Sequence, residues 1–140
     1  MYSDMEKILG EIYRLDTLKI LEHEELLNVE QHLMNSLHFD SNYHGINWAE
    51  YPERTTLSES GNLEESKLKI EQFIKEVNTI DCYVMWDRGD LPIVTINLAI
   101  LLENLALITR IAFDTWIVGV DSELLIEFHH SGVYKLTLST

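Results

Sequence analysis

Two short stretches of this sequence carry residue types that could do chemistry. His23-Glu24-Glu25-Leu26-Leu27 begins like the helical motif of zinc proteases, in which two imidazoles four residues apart share one helix face. Position 27 is leucine, so the second ligand is missing and His23 reads as solvated helix surface. Near the other end, Glu127, His129 and His130 lie together, and strand alternation puts Glu127 and His129 on one face. A metal pair there needs a third ligand, for which Asp121 or Glu123 across a turn is the nearby supply. The competing reading is strand surface or a hydrogen-bonded structural role, and the ligand spacing favours it.

Other candidates are weaker still. Carboxylates are so abundant that an acid/base dyad could be drawn almost anywhere, which makes none persuasive. There is no glycine-rich phosphate loop, and no serine or cysteine stands in a nucleophile elbow. Cys82, the single cysteine, sits in the apolar run Cys82-Tyr83-Val84-Met85-Trp86 and reads as a buried, inert thiol. Arg88-Gly89-Asp90 spells an adhesion tripeptide, but a turn between strands explains it. No catalytic residue, metal or cofactor is therefore expected. The more suggestive segment is 42–53, where Tyr43, His44, Trp48 and Tyr51 interleave with Glu50 and Glu53. Aromatics among acids make good protein-binding surface. The alternative is that these rings fold back as a lid over the core.

The elements that must position these residues follow from periodicity. Ser3 and Glu6 form a capping box ahead of Ile8, Ile12 and Leu15, predicting a helix over 4–14. A second helix is expected over 17–37, with Leu18, Leu21, Leu26, Val29, Leu33 and Leu37 on one side and room for a break near Glu22. Residues 40–61 lose all periodicity and read as a long loop. Asn62 caps a third helix whose inward set is Leu63, Leu68, Phe73 or Ile70, and Val77. Strands are expected over 82–86 and 93–96, then a buried helix over 98–111, then a meander of three strands over 115–120, 124–129 and 133–138. The fold class is α+β, with N-terminal helices followed by an antiparallel sheet with one inserted helix. The 140 residues are expected to form one domain: a mainly helical part over 1–78 and a β-rich part over 79–140.

Charge excludes whole classes of partner. Twenty-four acidic residues face 10 basic ones, a net charge of −14, with no cluster of Lys or Arg to grip a phosphate backbone. The acids are spread along the chain, so acidity belongs to the folded body, and its natural partner is basic. The longest nearly uncharged apolar run, Leu91 to Leu102, is too short for a bilayer, and the start of the chain lacks the pattern of a secretion signal. With one cysteine, this points to the cytoplasm.

Against that background, Leu91-Pro92, Phe113-Asp114-Thr115-Trp116, Leu125-Ile126-Glu127-Phe128-His129-His130 and Gly132 resemble bacterial immunity proteins of contact-dependent growth-inhibition systems. The resemblance covers about Cys82 to Leu138; Ser131 stands where an acid or Asn would be usual before the turn glycine. It implies that the Phe-Asp-Thr-Trp run and the Glu-Phe-x-His hairpin are scaffold. It also implies a cytoplasmic protein that binds one cognate basic toxin domain, a nuclease, 1:1 and neutralises it. The expected contacts are Tyr43, Trp48, Glu50, Tyr51 and Glu53 in the loop, with Asp87, Asp90, Asp121 and Glu123 at the turns of the sheet. An acidic nucleic-acid mimic that inhibits a DNA- or RNA-binding enzyme is the alternative that the charge also fits.

Overall fold

The computed structural model describes residues 2–37, 39–40, 45–51, 55–58, 62–74, 76–88, 90–129 and 134–139; at 2–5, 36, 39–40, 45, 49, 55–58 and 134–139 it describes the backbone alone. Helix α1 (Tyr2–Tyr13) turns Ile12 fully inward, with Ile8, Leu9 and Tyr13 beside it. The chain then leaves helical geometry at Thr17, whose φ of 66° is strained for a β-branched residue. The strain is held by two hydrogen bonds: Asp16 Oδ1 accepts from the Thr17 N–H, and Thr17 Oγ1 accepts from the Asn97 N–H. The turn delivers β1 (Lys19–Ile20) to the sheet. Helix α2 (His23–Ser36) follows, so the expected helix over 17–37 exists only beyond Glu22. Its first turns are replaced by strand because an open sheet edge offers residues 19–20 partners that a helix end would not.

The expected long loop over 40–61 is also corrected. It contains a short hairpin of β2 (Phe39–Asp40) and β3 (Gly45–Ile46), a 3-10 turn at Trp48–Glu50, and β4 (Thr55–Ser58). Thr55-Thr56 is a β-branched signal that the surrounding polar residues obscured. Helix α3 (Leu63–Phe73) starts where expected, Asn62 Oδ1 accepting from the Glu65 N–H at 3.1 Å. Its inward line is half-buried Leu63 with buried Ser66 and Ile70, continued by buried Ile74 at its end. Leu68, expected inward, lies off that line and is 60% exposed; of the alternatives Phe73 and Ile70, Ile70 is the inward one and Phe73 is 49% exposed.

Strands β5 (Asp81–Trp86) and β6 (Val94–Asn97) form the next pair. The buried helix over 98–111 divides at Asn104 into α4 (Leu98–Glu103) and α5 (Leu105–Ile108); Asn104 donates its side-chain N–H to the Ile100 carbonyl. Leu98, Leu101, Leu102, Leu105 and Ile108 are all buried, as their spacing predicts. Strands β7 (Thr115–Gly119), β8 (Glu123–Phe128) and β9 (Tyr134–Ser139) close the chain as the expected meander.

All described pairings are antiparallel, and seven strands form one sheet in the order β1-β6-β5-β7-β8-β9-β4. The α+β class holds, and β1 and β4 show that the helical N-terminal part also supplies both outer strands. The sheet is covered on both faces, which is why every residue of β7 is buried. Cys82, Val84, Trp86, Ile117, Leu124, Ile126 and Phe128 face a core shared with α1, α3, α4 and α5. Met85, Trp116, Val118 and Leu125 face a second core closed by Leu21, Leu33 of α2, Ile46 and Trp48. Among the described residues no helix is long and apolar enough to cross a membrane.

Candidate partner-binding surface

Glu127 stands at the centre of the second face and is only 4% exposed. Its register partner in β7 is Trp116 and in β9 Lys135. The carboxylate accepts three N–H groups: Oε2 from the Ile46 backbone at 2.7 Å and from Trp116 Nε1 at 2.8 Å, and Oε1 from Trp48 Nε1 at 2.8 Å. Charge-assisted bonds of this kind replace the water that a buried carboxylate loses. The chain thus pins the 45–51 segment onto β8 from about 80 residues away in sequence. Glu127 has the hydrogen-bonded structural role. Asp121 and Glu123 are not across a turn from it but at the far end of the strand; Glu123 is four residues away, ~13 Å at strand rise. Among the described residues no three His, Cys, Asp or Glu side chains come together as a metal site.

Trp48 is itself buried, with 6% exposure, and its ring meets that of Tyr51 at a centroid distance of 5.6 Å. Tyr51 then forms one wall of a groove of about 500 Å³ between the C-terminal half of α2 and the β7–β8 hairpin. Leu33, Val118 and Leu125 make its apolar lining, Tyr83 lies beside its register partner Val118, and His32 and Glu123 are its exposed residues. A line of contacts therefore runs from Glu127 through Trp48 to a groove wall.

The expected contact residues separate into groups. Trp48 is withdrawn from the surface: its indole is spent on Glu127, so the lid reading applies to it. Glu50 is exposed and Tyr51 half-buried, while Tyr43 and Glu53 lie outside the described residues. Glu123 and Asp121 are exposed on the hairpin at one end of the sheet. Asp87 and Asp90 lie at the other end, ~17 Å away along β5 at strand rise. Both are engaged within the chain. Asp87 Oδ1 accepts from the Asp114 N–H at 3.0 Å, and Asp90 accepts from Arg88 through both oxygens. The hydrogen bonds from Arg88 hold the Asp90 carboxyl below the usual carboxylate range. Asp87 thereby braces Asp114, itself 2% exposed, at the start of the Phe113-Asp114-Thr115-Trp116 run.

A family model described as "CdiI immunity protein EcoliA0-like" matches residues 7–137. The chain belongs to that immunity protein family. No curated protein matches it significantly. The CdiI match extends well beyond the C-terminal segment that carried the resemblance, taking in α2 and the covering 45–51 segment. Membership assigns the chain an immunity role against a contact-dependent growth-inhibition toxin.

In this CdiI protein the charge is unevenly distributed. From residue 20 to residue 53 the sequence contains seven acidic residues and no Lys or Arg. That segment includes α2 and the Trp48 turn, which cover the second face of the sheet. The helices on the other face carry Lys7, Lys67 and Lys69, with Arg14 just beyond the end of α1. On α2 Glu24, Glu25 and Glu30 are exposed, and so are Leu27 (66%) and Met34 (50%). Apolar side chains rimmed by like charge are what a protein interface presents before its partner arrives. No expected contact had been placed on α2. The uninterrupted run without a cation is what marks this segment in the sequence.

Proposed function

We propose that this immunity protein neutralises a basic toxin domain, a nuclease, by stoichiometric binding and without turnover, and that it presents the α2 side of the sheet to that toxin. The observation that carries this reading is the cation-free layer of α2 and residues 45–51 on a chain of the CdiI family. A single-sign field steers an oppositely charged partner and raises the association rate by roughly 10 to 10³-fold. Exposed Glu50, Asp121 and Glu123 extend that field along the hairpin end, with half-buried Tyr51 as an aromatic anchor. Tyr43 and Glu53 are proposed contacts on their sequence context alone. Asp87 and Asp90 are more distant members, since each already has a partner in the chain. The site of action is the cytoplasm, where such a toxin would meet its substrate.

The test is co-expression with the toxin C-terminal domain encoded beside this gene, followed by calorimetry with a non-toxic variant of that domain. Rescue of growth, a 1:1 isotherm and an association rate falling by at least about tenfold between 50 and 500 mM salt are expected. Binding to several nucleic-acid-binding proteins, each competed by DNA or RNA, would replace this reading with that of a nucleic-acid mimic. Rescue without complex formation would refute stoichiometric inhibition.

A further inference from the structure

The groove between α2 and the β7–β8 hairpin has a chemistry more specific than general acidity. We propose that it receives one arginine side chain of the toxin domain, which makes it the specificity pocket of the interface; this rests on the immunity reading above. Three features argue for that occupant. The floor of Leu33, Val118 and Leu125 is apolar and suits an aliphatic stem, which long cationic side chains bury readily. Two tyrosines line the groove, Tyr51 from the covering segment and Tyr83 beside its register partner Val118, and a guanidinium packs on such rings better than an ammonium does. The charged group at the mouth is Glu123, exposed and able to accept two parallel N–H bonds; among the described residues no Lys or Arg lines the groove. Aliphatic floor, aromatic wall and terminal carboxylate match an arginine along its length. A neutral side chain would leave Glu123 unused, and an acidic one would be repelled.

Glu127 and Trp48 enter as positioning residues. They touch no part of the partner but hold the ring of Tyr51 in the wall through the 5.6 Å Trp48–Tyr51 contact.

The experiment uses the full chain and the non-toxic C-terminal domain of the adjacent toxin gene, with affinity read by calorimetry. His32→Trp fills the groove mouth from an exposed helix position, and Glu123→Arg reverses its charge from an exposed strand end. Each is expected to weaken binding at least about 30-fold, while Glu103→Arg on the opposite face stays within about threefold. Glu123→Gln, isosteric and exposed, serves if either bulkier change lowers the melting temperature, and is expected to weaken binding at least about fivefold. Pairing Glu123→Gln with alanine at each toxin arginine in turn should reveal one arginine whose loss is not additive with it. His32→Trp and Glu123→Arg proteins that fold normally and bind within about threefold of wild type would overturn the pocket while leaving the immunity reading intact. A wild-type chain that does not bind this domain would overturn the immunity reading, and the pocket with it.

Discussion

Removing the acceptor at Glu127 should be strongly destabilising, because three buried N–H groups converge on it. In Glu127→Gln the amide oxygen can take the place of Oε2 and keep the bonds from Ile46 N and Trp116 Nε1. Its NH2 then faces the Trp48 indole N–H, donor against donor. One charge-assisted bond is lost, about 1.5–3 kcal/mol, and the two that remain become neutral and weaker. The expected cost is about 2–4 kcal/mol. Glu127→Ala leaves three buried donors unsatisfied at about 1–3 kcal/mol each; with water admitted to the space, about 4–6 kcal/mol is expected. Against an ordinary stability of about 5–15 kcal/mol, that brings the fold close to its limit. Urea titration followed by tryptophan fluorescence measures it, since two of the three tryptophans bond to this carboxylate. The midpoint should fall with the slope unchanged, Ala lying below Gln. A Gln variant within about 0.5 kcal/mol of wild type would refute the account, because it would mean that the three donors do not depend on the charge.

Three further outcomes follow from particular side chains. Burial pushes the Cys82 thiol from 9.0 to about 12, with Asp81 adding to the effect, so near pH 8 it holds about a thousandfold less thiolate than a thiol at 9.0 and should resist iodoacetamide until the protein is unfolded. Folding favours the protonated form, so this contribution to stability is complete below pH 9 and is lost as pH rises from 9 towards 12, which denaturant midpoints across that range would show. Thr115 is 1% exposed and its Oγ1 has no hydrogen-bond partner among the described residues, so Thr115→Val should be neutral or stabilising by up to about 1 kcal/mol in thermal melting. Gly119 lies against the hairpin turn, where an added Cβ would meet the Ser122 carbonyl oxygen at 2.9 Å; Gly119→Ala should cost about 1–3 kcal/mol, measured the same way.

The strand alternation of Cys82 to Trp86, the line of buried leucines from Leu98 to Ile108 and the closing meander were legible in residue order, because period and burial are local consequences of backbone geometry. So was the acidity that points to a basic partner. What residue order did not disclose were the pieces whose form depends on something distant. Residues 19–20 and 55–58 become strands because the sheet has edges to pair them, and neither is long enough to announce itself. Leu68 looks inward by type and Phe73 as much so as Ile70, yet the helix turns Ile70 and not the other two to the core. Glu127 illustrates the division most clearly. Its place on a strand beside His129 could be read from the sequence, but whether it would bind a metal, face solvent or hold the protein together depended on donors about 80 residues away. The sequence by itself determined the type of each strong element and the sign of the protein's own charge, since these are set by near neighbours and by sums over the chain. Only the tertiary structure decided which acids share a surface, which aromatics are spent inside and where a groove opens, because those depend on which distant segments the sheet brings together.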